Sequence, residues 1–177
     1  MVRSIVIPHN TDYGPFLTEF AELGDFQEAV GGWLEPLELP ALGITVYMNE
    51  SAQRDRRLLN TRATALWWLY SARPTDRPLI LGNVVLTGGD GQMGSNDVPE
   101  PVIQQIFVRN EFVVQVHPHN RRAWFDSFAR FDNIFDAAMW CLLFEATMRL
   151  GADFRVSGEP PIDFGADEPS MGGELPW

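Results

Sequence analysis

The stretch GGWLEPLELPALGITVYMNE, residues 31–50, constrains the fold more than any other part of the chain. Two extended segments flank Pro40, Ala41, Leu42 and Gly43, a Pro/Gly connection suited to a reversal of direction. In the second segment Ile44, Val46 and Met48 fall on one face and Thr45, Tyr47 and Asn49 on the other, the period of two of a strand. Pro36 lacks an N–H to give a ladder, so the first segment is expected at a sheet edge or a bulge. An antiparallel hairpin is the simplest arrangement.

More strands are expected at residues 3–7, in the segment PLILGNVVLTGG from Pro78, and in EFVVQVH from Glu111. Phe16, Phe20, Leu23, Phe26 and Val30 recur at spacings of three and four and predict a helix ended by Gly31 and Gly32. Asn60 suits an N-cap for a helix running through NTRATALWWLYSA. VIQQIFV reads as a short helix, RRAWFDSFARF as another, and the residues after Asp132 or Asn133 as a third, apolar nearly all round. The expected fold is therefore α+β: a small, mostly antiparallel sheet packed against helices, with a central apolar helix near 133–150. Phe125, Phe128, Phe131, Phe135, Trp140 and Phe144 are expected in the core, and any exposed member would point to a homodimer.

A chain of 177 residues with 45% hydrophobic content can bury a proper core. Residues 1–156 are expected to form one domain and residues 157–177, rich in Pro, Gly and acids, a tail. The longest apolar stretch, Ala137–Phe144, stops at Glu145, too short for a bilayer. The opening residues hold one Arg and a three-residue apolar run, short of a secretory signal. The single cysteine, Cys141, excludes an internal disulfide, and a cytoplasmic location is expected. Net charge is −11, and acids dominate both ends. Such a field repels phosphates, so direct nucleic-acid binding is not expected, while an acidic surface can imitate DNA toward a DNA-binding protein. All 13 basic residues are Arg, which fits a GC-rich genome.

No catalytic constellation stands out. GDGQMG, residues 89–94, fits G-x-G-x-x-G after a strand, yet Asp90 would sit beside the phosphates and Pro99 delays the following helix, so a loop is expected. His117 and His119 would share a strand face as metal ligands, but Pro118 favours a turn, and no metal or cofactor is expected. Cys141 lies among apolar neighbours and reads as packing. Arg54, Arg56, Arg57 and Arg62 could clamp an anion or simply balance the acidic surface.

Four pieces of sequence belong together: Gly31, Gly32 and Glu35; Asn49 and Glu50; Asn60, Ala63 and Thr64; Gly82 and Gly88. In order and spacing they resemble an uncharacterised domain family of phage and plasmid proteins from high-GC actinobacteria and their viruses, over about residues 22–98. The Arg-rich stretch before Asn60 and everything after Pro99 depart from that pattern. The resemblance implies a phage or mobile-element origin and supplies no activity. Together with the absence of a catalytic constellation and the two acidic ends, it leads to the expectation of an accessory protein that binds a host or phage protein without catalysis. Glu35, Asn49, Glu50, Asn60, Arg62 and Thr64 are the candidate site residues. They would either stitch loops to the sheet or form a small anion-binding or enzymatic site with Arg62 as anchor. A virion component is a further alternative.

Overall fold

In the computed structural model, which describes residues 1–71, 77–89, 96–147, 151–157 and 173–174, the β-branched run after Met1 forms β1 (Val2–Ile7). The next apolar residues depart from expectation. Phe16–Phe20 is β2, paired antiparallel with β1 so that Phe16 faces Val6 and Phe20 faces Val2. Residues four apart share a face in a strand as well as in a helix, so the spacing of Phe16 and Phe20 fits both. The helix α1 (Leu23–Val30) starts only where the Asp25 carboxylate accepts hydrogen bonds from the Ala21 and Glu22 N–H groups, at 2.7 and 3.1 Å. Those two bonds hold the Asp25 carboxyl below its ordinary pKa. Gly31, at φ 75°, ends α1 in the left-handed region.

The hairpin forms as expected: β3 (Leu34–Leu39), one 3₁₀ turn at Pro40–Leu42, Gly43 at φ 62°, and β4 (Ile44–Asn49). Asn60 caps α2 (Thr61–Tyr70) by accepting from the Ala63 N–H at 3.0 Å. The strand expected from Pro78 onward begins only at Val84, as β5 (Val84–Gly88), because Gly82 takes φ 75° and breaks the extended run. A one-turn α3 (Glu100–Ile103) continues as a π-helical stretch through Val108.

These strands make an antiparallel sheet of order β2-β1-β5-β4-β3, which leaves β3 with its Pro36 at an edge. Val6, Tyr47 and Val85 share one face and bury Phe26 and Val30 of α1, with Phe20 and Leu34 at the margin. Ile5, Ile7, Ile44, Val46, Val84 and Leu86 alternate with them and are buried too, so the central strands are apolar on both faces. All of this lies within residues 1–108, one of two compact units into which the chain divides.

The second unit, residues 109–177, has its own sheet, of order β8-β6-β7-β9. It consists of β6 (Phe112–Pro118), β7 (Phe125–Phe131), β8 (Ala152–Ser157) and the two-residue β9 (Gly173–Glu174), with α4 (Ile134–Thr147) between β7 and β8. Two expectations are corrected here. Phe125–Phe131 is a strand and not a helix; its three-residue aromatic spacing coincides with a bulge at which the register against β6 shifts. Pro118 ends a strand instead of opening a turn, so His117 is a strand residue. The apolar helix expected near 133–150 is α4, capped where Asn133 Oδ1 accepts from the Asp136 N–H at 2.9 Å. Its burial is one-sided, with Met139, Trp140 and Leu143 exposed. Residues 90–94 of the glycine motif and most of the expected tail, 158–172 and 175–177, lie outside the described residues. Both units are α+β, with helices packed against sheets that are antiparallel except for the short parallel β7–β9 pairing.

Replacing Phe26, whose ring lies 4.6 Å from Phe20 and 5.8 Å from Tyr47 by centroid, empties the centre of the first core. Phe26→Ala is expected to cost about 3–5 kcal/mol in urea unfolding. Leu17→Thr, on the exposed edge strand, is expected to change stability by less than about 0.5 kcal/mol.

Candidate functional site

Asn49, Asn60 and Thr64 lie at element ends of the first unit, where β4 ends and α2 begins. Asn60 is fully buried. Its Nδ2 donates to the Ile7 and Gly82 carbonyls, both at 2.9 Å, while its Oδ1 accepts from Ala63. Its backbone N–H donates to the Ile80 carbonyl at 2.8 Å. Three hydrogen bonds of one side chain thus reach backbone from three segments. One turn on, the Thr64 hydroxyl accepts from the Ile80 N–H at 3.1 Å. Asn60 and Thr64 together pin the chain that enters β5.

Asn49, at the end of β4, is 2% exposed. Its Nδ2 donates to the Gly31 carbonyl at 2.9 Å and its Oδ1 accepts from the Ser51 N–H at 2.8 Å. A Cβ on Gly32 would sit 2.6 Å from Asn49 Nδ2, so the paired glycines let the helix end pass close to the strand end. The Gly31 carbonyl takes a second bond, from Arg57 at 2.9 Å. A guanidinium at a helix C-terminus meets the negative end of the dipole as well as an orphan carbonyl.

The other candidates point elsewhere. Arg62 donates to the Tyr13 carbonyl at 2.7 Å and the Thr11 carbonyl at 3.0 Å, holding the loop between β1 and β2. Glu50 gives its backbone N–H to the Trp33 carbonyl at 2.8 Å, and its side chain is exposed. Glu35 is exposed on β3, opposite Met48. The structure therefore groups Asn60 with Thr64, and Asn49 with Arg57, while Arg62 and the two glutamates lie apart from both groupings in what they bind. Among the Arg residues, Arg54 reaches the Ser51 hydroxyl at 2.7 Å and Asp55 at 3.7 Å.

Two junction residues escaped the sequence reading. Asn83 accepts from the His9 backbone N–H at 3.1 Å, contacts His9 Nδ1 at 2.9 Å, and donates to the Ala29 carbonyl at 3.2 Å. Arg57 stands among charged neighbours in sequence, yet its side chain lies against Gly31 and Gly82. An Asn between Gly82 and a β-branched run was the available signal for the first; nothing local marked the second.

In the second unit His117 Nδ1 lies 3.6 Å and His119 Nε2 3.2 Å from the two oxygens of Asp153. His117 also stacks on Trp124 at 5.2 Å, and the Arg155 guanidinium lies 4.2 Å from the same ring's centroid. Among the described residues no group of three or more His, Cys, Asp or Glu has the geometry to hold a metal ion. Cys141 is 2% exposed in α4. No helix among them is long and apolar enough to cross a membrane.

An α+β unit with its glycines, asparagines and arginine gathered at one junction is thus the framework of residues 1–108. A family model described as Domain of unknown function (DUF3846) matches residues 2–113, and the chain belongs to this family. The match is wider than the stretch from about 22 to 98 that carried the resemblance and takes in β1 and the start of β6. No curated protein and no solved structure matches the chain.

Asn60→Ala would leave the Ile7 and Gly82 carbonyls and the Ala63 N–H without partners in a buried site. The expected loss exceeds about 3 kcal/mol in urea unfolding followed by tryptophan fluorescence. Gly32→Ala should cost about 1–3 kcal/mol through overlap with Asn49. Arg62→Ala, whose carbonyl acceptors can turn to water, should stay within about 1 kcal/mol.

Proposed function

We propose that this protein works by binding another protein, without catalysis, through the β3 edge around Trp33. One observation carries the reading. Where the sequence concentrates its candidate polar residues, Asn49, Asn60, Thr64 and Arg62 spend their side chains on backbone groups, while Trp33 is 71% exposed with Glu35 and Glu50 close in the fold. Tryptophan is the residue type most enriched among those that carry binding energy, and carboxylates at its rim select a basic surface. The net charge of −11 supports the same partner chemistry. A DNA-binding protein, whose basic face an acidic surface can occupy in place of DNA, is the finer form of the proposal. The sequence pattern supports an accessory role in a phage or other mobile element, acting in the host cytoplasm.

Affinity capture from the cells that carry the gene, with cross-linking and mass spectrometry, tests this. A partner cross-linked near Trp33 should be retained by the wild-type chain. Trp33→Ala should weaken its binding about 30-fold, as loss of roughly 2 kcal/mol implies, and Glu35→Gln with Glu50→Gln should reduce the salt dependence of association. No partner, or one held equally by all three proteins, would overturn the proposal.

A further inference from the structure

Helix α4 carries a second apolar stripe. Its inner side, including Ile134, Ala138, Cys141 and Phe144, is buried. Asp136, Met139, Trp140, Leu143 and Thr147, at positions i, i+3, i+4, i+7 and i+11, share the outer side, and Met139, Trp140 and Leu143 are 45%, 42% and 47% exposed. The stripe does not end at the helix. Phe128, at the β7 bulge, is 75% exposed, and its ring lies 6.1 Å from Phe144, which is itself 5.7 Å from Trp140. Phe131 stacks on Trp140 at 6.1 Å. One array of rings therefore runs from core to surface.

We propose that a second copy of the chain covers this face, α4 packing antiparallel on its own equivalent across a two-fold axis. The inference goes beyond the protein-binding reading, uses none of its residues, and stands or falls separately. Area favours it. Side chains of this size present about 200 Å² each, so Phe128, Met139, Trp140 and Leu143 leave about 400 Å² of apolar surface per copy, within the size range of monomer patches that are often functional. Two copies together cover about 800 Å² of it, and with a polar rim this approaches the roughly 1,200 Å² of a stable interface.

Charge selects the orientation. With the axis between Trp140 and Leu143, Trp140 meets the partner's Leu143, and Asp136 falls opposite the partner's Thr147. Parallel packing would set Asp136 against the partner's Asp136, a like-charge contact at an apolar seam. Antiparallel self-packing is also isologous, so it closes at two copies and forms no open array.

Sedimentation equilibrium of the full chain at tens of micromolar should return twice the 20.0 kDa chain mass. Leu143→Glu and Trp140→Arg should each run at the single-chain mass with the wild-type circular dichroism. Mixed in equal amounts, they should regain the doubled mass, because one of the two equivalent contacts then joins the introduced carboxylate to the introduced guanidinium while the other keeps Trp140 on Leu143. A wild-type chain at single mass, a doubled mass that survives either substitution, or a mixture that stays single would each overturn the proposal. If a variant loses its circular dichroism, amide exchange of the wild type decides. Protection over residues 136–147 that falls on dilution supports the dimer, and concentration-independent protection contradicts it.

Discussion

The Asn60 carboxamide is the constraint on which the first unit depends. Its two Nδ2 hydrogens and its Oδ1 meet Ile7, Gly82 and Ala63, which belong to the end of β1, the approach to β5 and the first turn of α2. The site is fully buried, so each of those backbone groups lacks water as a substitute. Aspartate could cap the helix equally well but has no N–H for the two carbonyls, and serine is too short to reach both. The same economy recurs a few residues away. Asn49 ties the end of α1 to the end of β4, and Asn83 ties α1 to His9, two residues past β1. Carboxamides suit such junctions because one planar group both donates and accepts without bringing a charge into the interior.

A junction satisfied in this way has consequences for function. Arg57 and Arg62, two of the four arginines that could clamp an anion, are bound to carbonyls of Gly31, Tyr13 and Thr11. What faces outward is of a different character: Trp33 with exposed carboxylates on the first unit, and the aromatic array of Phe128 and Trp140 on the second. Both surfaces suit contact between macromolecules more than the enclosure of a small substrate.

Much of this was legible in the sequence where a residue has one physical use. Pro40 and Gly43 fixed the hairpin, the alternation from Ile44 to Asn49 fixed β4, and Asn60 before an Ala-rich run announced the cap of α2. Phe16 and Phe20 misled because a spacing of four is shared by strands and helices, and only the pairing with β1 separates them. The aromatics at 125, 128 and 131 misled for a related reason: a bulge shifts the strand's register, and a helical interval appears where none is. The short strand Ala152–Ser157 gave little signal, since its ladder with β6 comes from long-range pairing. For the site, residue identities were legible but their partners were not. A side chain bound to a carbonyl 53 positions away, as Asn60 is to Ile7, leaves no mark in local pattern.

Heteronuclear NMR of the asparagine side-chain amides tests the central claim most directly. If the junction exists to satisfy its own backbone, the Asn49 and Asn60 carboxamide protons will exchange far more slowly than those of an exposed asparagine such as Asn10. Their signals will also hold position when inorganic phosphate or a nucleoside triphosphate is added. Rapid exchange at both residues, or ligand-induced shifts centred on Asn49, Asn60 and Thr64, would contradict the account and return the junction to the status of a binding site.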